Sequence, residues 1–271
     1  MGVRITDEAG RIEAMTAHNT AELLALAQRV GREAAAMLSE RPAELEVNTK
    51  STAIDVVTQM DIKVEAFIVK ELLAARPQDG LIGEEGAERA SQSGITWVID
   101  PLDGTVNYLY DLPGWNVSIA AKDEEGQLIG VVTAPSINST WWAVRGEGAF
   151  HNGKRIYCND PIELDRAMLA TGFQYDTAHR GAQIEHVSKL LPLIRDLRRN
   201  GAAAVDLCHV AMGRVDGYFE HGLKEWDWAA GGLIALEAGA RFALYGQAPY
   251  MMTLAAGPRL FTELEGFLAL A

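Results

Sequence analysis

Trp97-Val98-Ile99-Asp100-Pro101-Leu102-Asp103-Gly104-Thr105 is a strand-like apolar run that delivers two carboxylates into a turn beside a hydroxyl. Carboxylates gathered this way suit hard cations such as Mg²⁺, which take oxygen donors and complete an octahedron with water and a substrate phosphate. Gly104 lets the backbone approach a ligand closely, and amides left free where a helix starts would hold phosphate oxygens. The turn therefore reads as a joint metal and phosphate site. By itself Asp-Gly-Thr reads first as ordinary turn chemistry. Partners elsewhere in the chain decide the matter.

Three segments supply such partners. Leu81-Ile82-Gly83-Glu84-Glu85-Gly86 places two acids after a short apolar segment, although alone it reads as a solvated loop. Asp55-Val56-Val57-Thr58-Gln59-Met60-Asp61 runs into an amphipathic segment with Val64, Phe67, Ile68 and Leu72 on one face. Thr58 is the expected N-cap there, with Asp61 as a capping-box acid. A plain cap and a functional acid are equally good readings of Asp61. Glu225-Trp226-Asp227-Trp228-Ala229-Ala230-Gly231 opens a small-residue helix with Asp227 in its first turn, which in isolation is core plus cap.

Taken in order, the four segments resemble the inositol monophosphatase family of lithium-sensitive, Mg²⁺-dependent phosphatases. Asp100 to Thr105 matches the Asp-Pro-(Leu/Ile)-Asp-Gly-Thr signature, and Trp226 to Gly231 matches Trp-Asp-x-Ala-Ala-Gly. The Gly-Glu-Glu and Asp-x-Val-Thr-x-x-Asp segments fall in family order. Gly213-Arg214-Val215-Asp216-Gly217-Tyr218-Phe219-Glu220 precedes the second signature. The resemblance spans roughly residues 20 to 260.

Carried over residue by residue, the resemblance implies that Glu84, Asp100, Asp103, Asp227 and the carbonyl of Leu102 hold two or three Mg²⁺ ions. Glu84 and Thr105, the latter backed by Asp61, would orient and activate the attacking water. Asp103 and the amides of Gly104 and Thr105 would meet the substrate phosphate side. Glu220 and the backbone near Ala203 would meet substrate hydroxyls. Lys50 corresponds to the basic residue of a mobile loop, and a solvated lysine is an equal reading. The implied fold is α+β, a layered αβαβα sandwich of the inositol monophosphatase and fructose-1,6-bisphosphatase type, assembled as a homodimer.

Acids rather than bases dominate because close carboxylates repel and take up protons unless cations neutralise them. Two metal ions would clamp a phosphate monoester and activate water in line with the leaving oxygen. No protein nucleophile is needed. The net charge of -13 argues against a nucleic-acid partner, since phosphate backbones are bound mainly through Lys and Arg. A small anionic substrate must likewise be drawn in by metals that reverse the sign locally.

Periodicity alone supports mixed α and β. Asn19 with Glu22 is expected to cap a first helix bearing Leu23, Leu26, Val30 and Met37. Strands are expected at 96–99, 116–121, 128–133, 140–144, 215–220 and 241–245, and helices at 179–194, 202–212 and 228–238. The chain reads as one domain, 1–271, with a mild sub-domain boundary near 164–170. Cys158 and Cys208 form no CxxC pair and read as reduced thiols, which favours the cytoplasm. No apolar run is long enough to span a membrane. Met1-Gly2-Val3-Arg4-Ile5-Thr6 formally fits an N-myristoylation pattern and carries little weight. His209 reads as a packed helical residue, and His221 as a neighbour of the pocket.

Three departures touch the substrate. Gly201 is followed by Ala202-Ala203-Ala204 where the family often has Ser or Thr. Arg198-Arg199 reads as a solvated pair, with a partner chain or a second substrate phosphate as the alternatives. The apolar tail from Tyr250 to Gly257 has no explanation in the sequence. The leading expectation is hydrolysis of myo-inositol monophosphate with relaxed specificity. The same chemistry on fructose 1,6-bisphosphate, histidinol phosphate or a 3′-phosphorylated nucleotide is the first alternative. A regulatory protein that binds transcription or RNA machinery is the second.

Overall fold

The computed structural model describes residues 19–50 and 55–268. Helix α1 (Thr20–Ser39) is capped by Asn19, whose side chain accepts from the Glu22 amide. Leu23, Ala27, Val30, Ala34 and Leu38 form its buried stripe. Strands β1 (Val47–Thr49) and β2 (Val56–Thr58) pair antiparallel and lead into α2 (Gln59–Ala75). The Thr58 and Asp61 capping box forms as the sequence predicts. Met1 to Thr6, with its acylation pattern, lies outside the described residues.

Short strands β3 (Gly80–Gly83) and β4 (Glu88–Arg89) precede β5 (Thr96–Asp103), the run that carries the two carboxylates. The five-residue helix α3 (Thr105–Leu109) follows. Then come β6 (Asn116–Asp123), β7 (Gly126–Ala134), β8 (Ser139–Val144), β9 (Gly148–His151) and β10 (Lys154–Arg155). They build an eight-stranded sheet in the order β10-β9-β8-β7-β6-β5-β3-β4, antiparallel except where β3 runs parallel to β5. Tight turns at Gly146 and at Asn152-Gly153, with positive φ, connect the later strands.

A second, five-stranded sheet is built from β11 (Met168–Thr171), β12 (Asp196–Arg198), β13 (Gly217–His221), β14 (Arg241–Tyr245) and β15 (Met252–Ala256), in the order β12-β11-β13-β15-β14. The 164–170 stretch, a 3-10 turn at Leu164–Arg166 and the start of β11, is where the chain enters this sheet. Helix α4 (Thr177–Leu190) comes before β12; the residues expected to prolong it instead form a 3-10 turn at Leu191–Leu193, where Pro192 removes a helical donor. Helix α5 (Ala203–Ala211) comes before β13, α6 (Glu225–Glu237) before β14, and α7 (Pro258–Leu268) after β15.

The layers follow from the buried clusters. Helices α1 and α2 cover one face of the large sheet through Leu23, Val30, Val64, Ile68, Ile99 and Ile119. Helices α5 and α6 fill the space between the sheets, where Val98, Val132 and Trp141 meet Leu207, Val210 and Ile234 on one side and Ala170, Tyr218 and Ala255 lie on the other. Helices α4 and α7 close the outer face of the small sheet through Leu190, Phe219, Leu254, Phe261 and Leu264. The result is the αβαβα sandwich that the resemblance implies. The apolar tail now has its reason: β15 lies between β13 and β14 with all five residues buried, and a strand covered on both faces reads as an unbroken apolar run.

Candidate active site

Strand β5 breaks its ladder where the site begins. Its pairing with β6 is regular from Thr96 to Asp100 and resumes only at Asp103 opposite Asn116. Pro101 cannot donate to a neighbour, so a bulge there is the natural outcome. The Leu102 amide turns back to Asp100 Oδ1 at 3.0 Å, and the Leu102 carbonyl points to the Thr105 hydroxyl at 3.1 Å. Gly104, at φ +86°, closes the turn in the left-handed region, and a Cβ there would press on Ala202 and the Gly201 carbonyl. Helix α3 starts at Thr105, which leaves its first amides without intrahelical partners.

Ten of the eleven residues singled out in the sequence line one cavity of about 570 Å³: Lys50, Glu84, Asp100, Leu102, Asp103, Gly104, Thr105, Ala203, Glu220 and Asp227. Asp61 stands behind the wall, where the Thr105 hydroxyl reaches its Oδ1 at 3.0 Å, while the Thr58 amide and hydroxyl occupy its Oδ2. Parallel pairing of Gly83 with Ile99 brings Glu84 beside Asp100. Asp227, in the first turn of α6, accepts from the Lys224 amide at 2.6 Å. The amides of Ala203 and Ala204, at the start of α5, donate to the two carboxylate oxygens of Asp103 at 3.2 and 2.9 Å. Ala203 thus reaches the cavity wall with its amide committed to Asp103.

The acids are electrostatically uncomfortable. Burial, then the charges of Glu84, Asp103 and Asp227, push Asp100 well above the ordinary carboxylate range. Burial and the charge of Glu84 do the same to Asp227. Asp103 is raised by burial to about 6, held back by donors on Asn116 and Ala204. Burial also raises Asp61, although Thr58 and Thr105 donate to it. Lys50 bridges Glu84 and Glu85 at 2.8 and 2.6 Å; burial works against its charge, but the two glutamates outweigh burial and raise its pKa. Among the described residues no three Asp, Glu, His or Cys side chains converge on one point as a metal would hold them. Each acid has turned to an amide, an amine or a neighbour instead. Their chemistry still fits hard cations: four carboxylates and a carbonyl, all oxygen, in one cavity where burial penalises uncompensated charge.

The far wall carries Glu220, raised to about 7 by burial although the Tyr218 hydroxyl donates to its Oε2 at 2.6 Å. His221 lines the same cavity and stacks on His186. His209 is packed beside Trp141, and burial drives its pKa down to about 4. Arg198 and Arg199 part company. Arg198 pairs with Asp196 at the surface, whereas Arg199 turns into the cavity.

Several functional neighbours escaped the sequence reading. Asn116 donates to Asp103 at 2.8 Å, and only the β5–β6 register reveals it. Glu65 accepts the amides of Glu85 and Ala87 and so fixes the loop that carries Glu84. Its position four residues after Asp61, on the same helix face, was a usable signal. Tyr218 was visible only as a member of the segment before the second signature.

A model of the inositol monophosphatase family matches residues 18–263. The chain belongs to this family. Inositol-1-monophosphatase of Mycobacterium bovis is 40% identical over 244 residues, 83% of this chain and 84% of its own length. The Nus factor SuhB of Escherichia coli is 39% identical over 251 residues, 88% and 92% of the two chains. Among solved structures of the family, the extragenic suppressor protein suhB from Bartonella henselae superposes with a TM-score of 0.85 at 31% identity, covering 92% of this chain and 99% of its own. Mycobacterium tuberculosis SuhB gives 0.81 at 38% identity, with 94% and 100% covered. Free Cys158 and Cys208 are both thiols, and no described helix is long and apolar enough to cross a membrane.

Proposed function

We propose that this protein is a Mg²⁺-dependent phosphatase that hydrolyses myo-inositol monophosphate to myo-inositol and phosphate, with relaxed specificity. The observation that carries the reading is the cavity in which Glu84, Asp100, Asp103 and Asp227 meet the Thr105–Asp61 pair. The four carboxylates and the Leu102 carbonyl hold two or three Mg²⁺ ions. When bound, the ions supply Lewis acidity that lowers the pKa of water and neutralises phosphate charge. Glu84 orients the attacking water. Thr105 takes a proton from that water and passes its own to Asp61 Oδ1, 3.0 Å away. The amides of Gly104 and Thr105, at the start of α3, hold phosphate oxygens. Glu220, steadied by Tyr218, accepts from a hydroxyl of the leaving polyol, and the backbone at Ala203 completes that wall. Lys50 holds its loop over Glu84. The protein works in the cytoplasm as a homodimer, and Li⁺ inhibits it by displacing Mg²⁺.

Phosphate release from myo-inositol 1-phosphate, fructose 1,6-bisphosphate and histidinol phosphate, with and without Mg²⁺, tests this reading. Asp103→Asn and Asp227→Asn serve as blanks, each checked for its fold by circular dichroism. Dominance of inositol phosphate supports the reading. Dominance of another ester keeps the chemistry and changes the substrate, and release no faster than the blanks removes both. A second reading, binding to transcription machinery, is favoured by relatives such as the Nus factor SuhB of Escherichia coli. It requires that an RNA polymerase complex be retained on the protein and on its Asp103→Asn variant alike.

A further inference from the structure

Beside the main cavity lies a second one of about 320 Å³, lined by Phe173, Arg180, Ile184 and Arg199. Phe173 and Arg199 belong to both, so the two spaces share a wall. Arg199 comes from the turn after β12, and its guanidinium crosses Gly201 so closely that a Cβ there would collide with Nη1. Gly201 at φ +92° is what lets the arginine lie flat toward the cavity. Arg180 reaches over from α4 and is steadied by donating its Nε to the Gln174 carbonyl at 2.7 Å, so that its guanidinium is held against this space. Among the described residues neither arginine forms an ion pair with a carboxylate. Lys50, by contrast, is held on the acidic side by Glu84 and Glu85.

Two guanidiniums facing one small space, in a chain of net charge -13, mark a place for an anion. Phe173 and Ile184 give that space apolar walls against which a carbon skeleton would rest. A leaving group that extends past Glu220 arrives beside Arg199, whose charge acts on Glu220.

We propose that Arg180 and Arg199 form a second anion subsite, which extends the relaxed specificity beyond inositol monophosphate to phosphate monoesters whose alcohol carries another phosphate or carboxylate. This rests on the hydrolytic reading of the main cavity and specifies its leaving-group side. Arg180 is the cleaner probe, because Arg199 also shares the cavity with Glu220.

Fructose 1,6-bisphosphate and fructose 1-phosphate differ only in the second phosphate, and inositol 1-phosphate provides a reference. In the wild-type, Mg²⁺-loaded protein the bisphosphate should exceed the monophosphate in kcat/KM by about tenfold or more, the scale of a hydrogen bond to a charged group. Arg180→Met should cut that ratio by about tenfold, mainly through KM of the bisphosphate, and Arg180→Lys should restore part of it. A merely structural role for Arg180 would slow all three esters together and leave the ratio where it was, which overturns the subsite while inositol phosphate hydrolysis stands. No phosphate from any ester removes the hydrolytic reading and the subsite with it.

Discussion

Thr105 faces two acceptors, Asp61 and the Leu102 carbonyl, with a single proton to give. It can go to only one of them at a time, and donation to Asp61 is the one that the proposed proton transfer uses. Thr105→Ala should lower kcat about 100-fold or more, the usual weight of a positioned proton-transfer group. Its Mg²⁺ affinity, measured by calorimetry, should stay within about twofold, because the hydroxyl is not among the proposed ligands. An unchanged kcat would take Thr105 out of the water-activating role. Asp103 behaves differently, since it accepts from Asn116, Ala203 and Ala204 at once. An asparagine there must turn an NH₂ group toward one of these donors, so its variant is expected to lose stability as well as metal.

At the scale of elements, Gly104 is the joint between β5 and α3. Gly104→Ala adds a Cβ at positive φ, 3.2–3.3 Å from Ala202, Gly201 and Trp115, and should cost about 2 kcal/mol of stability by urea unfolding. A loss below about 0.5 kcal/mol would show that the turn yields easily. Elements with a strong local signal were legible: the Thr58–Asp61 cap, the Asn19 cap and β14 from Arg241 to Tyr245 fall where the sequence puts them. Helix α6 starts three residues earlier than periodicity suggested, because Asp227 caps through the Lys224 amide. The short strands β11, β12 and β15 were not legible. They are three to five residues long; β11 and β12 pair only with strands distant in sequence, and β15 pairs with its sequence neighbour β14 but also with the more distant β13, which no local pattern announces. The candidate site was more legible than the fold around it, since its acids sit in contiguous motifs, whereas Asn116 joins them only through the β5–β6 register.

For the whole molecule, buried acids set a pH dependence with a definite sign. Asp103 moves from 3.8 to about 6 and Glu220 from 4.5 to about 7, each first because of burial. A carboxyl raised in the folded state keeps its proton longer than in the unfolded chain. Its contribution is therefore full below the unfolded value and is lost as pH rises through the folded one. In EDTA the melting temperature should fall between about pH 4 and 7, and saturating Mg²⁺ should flatten that fall. Mg²⁺ must displace the proton on Asp103, so affinity should climb up to about pH 6 with proton release measurable by calorimetry in two buffers. An affinity flat from pH 5 to 7 would contradict this.

The place of β15 between β13 and β14 also governs the order in which the molecule can be assembled during synthesis. Glu220 lies on β13, which pairs with β11 on one side and with residues 252–256 on the other, so the wall that carries Glu220 is paired on only one side until that late stretch has left the ribosome. The acids at Glu84, Asp100 and Asp103 belong to the large sheet, whose strands are complete by Arg155. A nascent chain should thus pass through a stage with one half of its site framed and the other half open, a setting in which long-range strand pairing is slow and exposed. Chains stopped after Gly246 should be cut by protease between 168 and 246 while 56–155 resists. Uniform resistance would show that the small sheet closes without β15.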